Sequence, residues 1–97
     1  DLKKTKLLFC TIESCILDKS DLSESNFGLS RLIHTSFKHA NLSLASFMAT
    51  SVEHVQLKES ILEKVDLTLM QANGLDVTGA KQKGIIMEST KVKNLIR

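Results

Sequence analysis

Along residues 20–47, SDLSESNFGLSRLIHTSFKHANLSLASF, a large apolar side chain recurs at every fifth position: Leu22, Phe27, Leu32, Phe37, Leu42 and Phe47. An α-helix repeats its buried face every 3.6 residues and a β-strand every 2, so neither accounts for this spacing. Stepping by five in both directions extends the run to sixteen positions, from Leu2, Leu7, Ile12 and Leu17 through Val52, Leu57, Leu62, Leu67, Ala72 and Val77, all apolar. A second track lies two residues before each centre, from Thr5, Cys10 and Cys15 to Met70 and Leu75, and thirteen of its fifteen members are small. Polar residues dominate elsewhere. Each unit therefore predicts one large and one small inward side chain and three that face water.

A five-residue unit cannot form a hydrophobic layer alone and must stack on copies of itself. The units SDLSE, SNFGL, ANLSL and ASFMA resemble the pentapeptide-repeat pattern, A(D/N)LXX with Phe allowed at the centre, and the register holds from about residue 2 to 79. The resemblance implies a right-handed quadrilateral parallel β-helix, with four five-residue faces and 20 residues per coil. Residues 2–79 then make roughly four coils, a rod about 19 Å tall at sheet spacing. The expected fold is all-β, with domain 1–79 forming the helix of repeats.

Both ends of such a stack are unpaired edges that invite aggregation unless covered. Gly79 and Gly84 interrupt the pattern, and Gln82 stands where an apolar centre is due. The following segment, ESTKVKNLIR, offers Ser89 or Thr90 as an N-cap, with Val92, Leu95 and Ile96 at helical spacing. Residues 80–97 thus read as a linker and a short C-terminal helix capping the last coil. The N-terminal end shows no equivalent, and the opening DLKKTK without Met suggests that sequence precedes it.

Charge and composition narrow the function only a little. The net charge of +2 divides unevenly: residues 1–80 carry 8 basic and 10 acidic side chains, residues 81–97 carry 5 and 1. A near-neutral body without a basic groove or stacking aromatics argues against direct nucleic-acid binding. No apolar run reaches membrane length. Two cysteines are too few for a disulfide framework. Cys10 and Cys15 fall on the small inward track, where reduced thiols act as small hydrophobes, which weakly favours a reducing compartment.

Residues 20 apart stack in columns, so the outward positions can be sorted by edge. Beside the centres Leu7, Phe27, Phe47 and Leu67 the outward pairs are Leu8/Phe9, Gly28/Leu29, Met48/Ala49 and Thr68/Leu69, an apolar stripe. The corresponding pairs on the other faces are mostly polar. A contiguous apolar patch marks a binding surface, so Leu8, Phe9, Leu29, Met48 and Leu69 are the candidate partner-binding residues. His34 and His54 stack one coil apart and His39 falls near Glu59, but no third ligand joins the imidazoles, so no metal is assigned. A filled rod offers no evident catalytic pocket. Catalytic residues and cofactors are not expected.

These features predict a non-enzymatic protein-binding or scaffold module, meeting a protein partner or a second copy through the stripe. The resemblance implies a domain of a larger bacterial protein such as a secreted effector, cytoplasmic or delivered into a host cell. The alternative it implies is a DNA mimic that binds gyrase or topoisomerase, as in quinolone resistance. That role needs a strongly acidic rod, and a body charge of −2 with a basic tail is a poor match.

Overall fold

Parallel pairing offset by 20 residues organises the whole chain. The structure, a computed structural model, describes residues 2–97. Its strands are β1 (Thr11–Glu13), β2 (Arg31–Ile33), β3 (Ser51–Gln56), β4 (Ile61–Glu63), β5 (Gln71–Asp76), β6 (Lys81–Lys83) and β7 (Lys91–Ile96). They form a five-stranded sheet in the order β1-β2-β3-β5-β7 and a two-stranded sheet β4-β6. Every register joins a residue to the one 20 further on: Leu32 to Val52, Val52 to Ala72, Ala72 to Val92, Leu62 to Gln82. Single bridges such as Lys6 to Asn26 and Asp21 to Asn41 carry the same offset around the other corners. The result is an all-β parallel solenoid of about four turns.

Three short-range devices shape the five-residue units. In ten units the centre carbonyl accepts from the amide three residues on, as in Leu22 O from Ser25 N (3.1 Å) and Leu42 O from Ala45 N (3.0 Å). The residue two places after the centre has φ between +48° and +86° in nineteen consecutive units, from Lys4 to Asn94. In many units a side chain one place before the centre accepts the amide one place after it: Asp21 from Ser23, Asn26 from Gly28, Asn41 from Ser43, Asp66 from Thr68. Such short polar side chains stabilise turns by this local bond. The A(D/N)LXX pattern is thus a turn code as well as a packing code.

The axis is filled by the centres. Leu22, Phe27, Leu32, Phe37, Leu42, Phe47, Val52, Leu57 and Leu62 are all buried. Phe27 and Phe47, one coil apart, stack at 4.9 Å and 6°, and Phe37 meets both edge-on at 5.9 and 6.3 Å. Polar members of the small track are buried without orphaned groups. Ser25, Thr50 and Ser60 donate to the carbonyls of Leu22, Phe47 and Leu57 at 2.5, 2.8 and 2.7 Å.

The C-terminal capping helix expected over residues 80–97 is not formed. Those residues carry β6 and β7, and β7 pairs with β5 from Gln71–Lys91 to Asp76–Ile96. The cause lies in the spacing. A centre and the next small-track position are three residues apart, so Val92 and Leu95 fit an i, i+3 helical pair and a solenoid unit equally well. Gly79 and Gly84 do not interrupt the register either: with Gly74 they occupy the positive-φ slot that a glycine fills without a Cβ penalty. Cys10 and Cys15 are also less enclosed than their track implies. Cys10 is half-buried and Cys15 exposed, because they sit in the first coil with no described coil above it.

Candidate functional site

Leu8, Phe9, Leu29, Met48 and Leu69 come together on one edge, descending the solenoid coil by coil. Phe9 is 76% exposed, and Leu8, Leu29, Met48 and Leu69 lie between 42% and 52%. Local backbone geometry holds them outward. Phe9, Leu29, Ala49 and Leu69 occupy the positive-φ slot, and their amides donate to the coil below: Phe9 to Gly28 O, Leu29 to Met48 O, Ala49 to Thr68 O and Leu69 to Glu88 O, at 2.8–3.2 Å. With the backbone anchored in this way, the side chains cannot turn inward without breaking ladder bonds. Leu8 is partly seated. It lies over Gly28, where a Cβ would come within 3.2 Å of Leu8 Cδ2. Directly behind the stripe stands the Phe27–Phe47 stack, so this edge is apolar on both sides of the backbone.

The remaining exposed apolar residues do not form a comparable series. Ile16 and Leu44 stand on other edges, while Leu2, Ile86, Met87, Leu95 and Ile96 belong to the first and last coils. In the fifth level of the stripe's own column the pair is Glu88/Ser89, so the apolar run ends with Leu69.

The histidine column forms as expected. His34 and His54 stack at 5.1 Å and 13°, and His54 lies over Gly74, where a Cβ would meet its Nδ1 at 2.7 Å. His39 Nδ1 is 3.3 Å from Glu59 Oε2, both well exposed. Among the described residues no group of three or more His, Cys, Asp or Glu side chains converges on a point that could hold a metal ion. Two carboxyls are tuned by the turns. Asp21 and Asp76 are held below the usual carboxylate range, first by the hydroxyls and then by the amides of Ser23 and Thr78. No helix among the described residues is long and apolar enough to cross a membrane.

Sequence reasoning missed a second feature at the C-terminal end. There the axis holds a mostly apolar cavity of about 120 Å³, whose lining includes Leu32, Phe47, Gln82, Val92, Leu95 and Arg97. The available signal was the loss of phenylalanine from the centres after Phe47, followed by Gln82 at a centre and five cations within residues 81–97.

A parallel β-solenoid with a turn every five residues and a filled axis defines the class of protein. The family model for pentapeptide repeats matches eight copies over residues 17–48 and 25–63. The chain is a pentapeptide-repeat protein. It is similar to a pentapeptide repeat protein from the thylakoid lumen of Arabidopsis thaliana, with 27% identity over 84% of this chain and 61% of that one, at a TM-score of 0.68. HetL, a pentapeptide repeat protein involved in heterocyst differentiation regulation from the cyanobacterium Nostoc, shares the fold at 22% identity and a TM-score of 0.59, over 82% of this chain and 40% of HetL. The chain therefore spans less than two thirds of the length of either relative. No curated protein sequence matches it.

Proposed function

We propose that this solenoid is a non-enzymatic protein-binding module that engages a protein partner, or a second copy of itself, through the stripe of Leu8, Phe9, Leu29, Met48 and Leu69. The observation that carries the proposal is the four-level run of exposed apolar side chains on one edge, fixed outward by ladder-bonded backbone. Apolar side chains that water must cover at every level favour association, each contributing about 25 cal/mol for every Å² removed from solvent. A rigid scaffold also adds little ordering cost on binding. The proposed setting is the cytoplasm, or a host cell where the parent protein is a secreted effector.

The test compares the chain with the triple variant Leu29→Glu, Met48→Glu, Leu69→Glu. These changes suit the backbone, because Glu24 and Glu59 already occupy the positive-φ slot and Glu53 and Glu63 the slot that Met48 fills. Solution mass shows whether the stripe pairs two copies, and affinity capture with both proteins as bait shows whether it holds another protein. The expected result is a dimer or a captured partner with the parent chain and neither with the folded variant. Identical mass and identical captured proteins for the two would refute the stripe as the contact.

DNA mimicry is the competing reading, and it has a separate assay. A mimic must inhibit supercoiling by purified DNA gyrase, whereas a module acting through an apolar stripe leaves supercoiling unchanged.

A further inference from the structure

The apolar edge is ordered from coil to coil. The position after each centre runs Leu8, Gly28, Met48, Thr68 down the four coils, and the position after that runs Phe9, Leu29, Ala49, Leu69. Set against itself in reverse order, each column is complementary in size. Gly28 meets Met48, Leu29 meets the half-buried Ala49, and Leu8 meets Thr68. The flanking column, one place before the centres, runs Lys6, Asn26, Ser46, Asp66. Reversed in the same way, it sets Lys6 opposite Asp66 and Asn26 opposite Ser46. Lys6 is exposed and Asp66 half-buried. Both bonds from Thr68 end on Asp66 Oδ1, at 2.9 and 2.6 Å, which holds the carboxylate at this edge and leaves Oδ2 for a cation.

We infer that the stripe pairs with the stripe of a second copy of this chain, the two solenoids lying side by side and antiparallel. The inference rests on the stripe being the contact proposed above and gives it one occupant. A two-fold axis in the contact plane and perpendicular to the solenoid preserves each column and reverses the coil order, so every pair occurs twice. Here the axis crosses the edge between the coils of Leu29 and Met48. A two-fold axis along the solenoid keeps the coil order and exchanges the columns instead. That arrangement sets Leu8 against Phe9 twice, bulky on bulky, and leaves Lys6 facing Thr11 and Asp66 facing Gln71, with no charge paired. It also brings residues 81–97, with 5 basic and 1 acidic side chains, beside their own copy. Antiparallel pairing carries those two segments to opposite ends. On the next corner Lys3 faces Glu63 and Lys4 faces Lys64, a balance that favours neither arrangement. Phe9 and Leu69 are three coil steps apart, about 14 Å. The contact therefore falls short of the roughly 800 Å² per partner of a standard interface, and the dimer is weak.

Sedimentation equilibrium over a wide concentration range and carbodiimide coupling together test the pairing. Carbodiimide joins an amine to a carboxylate in direct contact, and within one chain Lys6 and Asp66 stand about 14 Å apart along the stack. A Lys6–Asp66 amide therefore forms only between copies. The expected result is a reversible monomer–dimer equilibrium and a Lys6–Asp66 cross-link between isotope-labelled and unlabelled chains. Lys6→Glu should weaken the dimer about tenfold, because two surface ion pairs become two repulsions. Adding Asp66→Lys should restore it, and lysine already stands in that slot at Lys6, Lys81 and Lys91. Leu29→Glu, Met48→Glu, Leu69→Glu should give a monomer that circular dichroism shows to be folded. A parent chain that is monomeric at every concentration overturns the inference, and capture of another protein by the parent but not by the triple variant would then leave the stripe standing as a contact. A dimer that persists in the triple variant overturns it as well. Where the triple variant does lose the dimer, a missing Lys6–Asp66 cross-link or equal dissociation constants for the parent and Lys6→Glu would overturn the antiparallel pairing and leave the stripe itself supported.

Discussion

At the residue scale the controlling position is the one two places after each centre. L-residues in the left-handed region bring Cβ close to the following carbonyl, and branching at Cβ makes the contact worse. Nineteen units place a residue there, and none of the nineteen is Val, Ile or Thr, although those residues are common elsewhere in the chain. Lys64, exposed with φ +55°, allows the preference to be measured. Lys64→Leu should leave stability unchanged, since Leu29, Leu44 and Leu69 already occupy equivalent slots. Lys64→Ile should cost roughly 1–2 kcal/mol. Equal urea midpoints for the two variants would show that the slot tolerates branching.

The turn carboxyls give the same scale a pH dependence. The Asp76 carboxylate accepts from Thr78 Oγ1 at 2.6 Å and Thr78 N at 2.9 Å, which lowers its pKa in the folded state below the ordinary 3.8. A depressed carboxyl contributes stability that is fully present above the unfolded value and is lost as pH falls through the folded one. Asp76 therefore supports the fold fully above pH 3.8 and loses that contribution progressively as pH falls from there through its lowered folded-state value. Thr78→Val removes the hydroxyl, the largest cause of the shift. It should lower stability at neutral pH and shrink the further loss on acidification. An acid limb with the same slope in both proteins would exclude this role.

At the scale of the element, the C-terminal segment is where two periodicities compete. Centres and small-track positions alternate at intervals of three and two. Any unit viewed alone therefore offers the i, i+3 pair of a helix, and a preceding Ser or Thr completes the appearance of a cap. What identifies β7 is the longer pattern: Val92 continues the centres, Thr90 and Leu95 continue the small track, and Gly74, Gly79 and Gly84 mark the left-handed slot in step. The centres, the columns and the apolar edge were legible because each depends on a five-residue count alone. The left-handed slot and the open axis were not. One is written in what is missing from a position, the other in side-chain volumes that only a closed coil brings face to face. Proline at Lys91 separates strand from helix. In a helix capped by Ser89 or Thr90, Lys91 lies in the first turn, where proline is tolerated. In β7, Lys91 N donates to Met70 O at 2.9 Å, and Met70 is buried. Lys91→Pro should therefore lower stability by about 1–3 kcal/mol, the cost of leaving a buried carbonyl without its donor. An unchanged melting curve would favour the helix.

For the whole molecule, stacking rather than sequence distance sets how stability is shared. In a solenoid each coil contacts only its neighbours, so an inner coil is held from both sides and an end coil from one. Burial follows that rule: the centres from Leu22 to Leu62 are enclosed, Leu7, Ile12 and Leu17 are half-buried, and Met87 is 59% exposed. The three buried phenylalanines concentrate in the second and third coils, which makes those coils the cooperative centre. Phe37, fully buried and edge-on to both other rings, should cost about 3–5 kcal/mol as Phe37→Ala. Hydrogen exchange should rank the amides by coil. Phe37 N and Leu42 N, donating to Gln56 O and Ile61 O between enclosed coils, should exchange most slowly, while Leu2 N and Lys4 N at the open end should exchange fastest. The gradient also bears on how the proposed surface responds to its partner. A partner on the stripe spans four coils and should slow exchange along the whole edge, from Phe9 to Leu69. Protection confined to a single coil would refute the stripe as the contact.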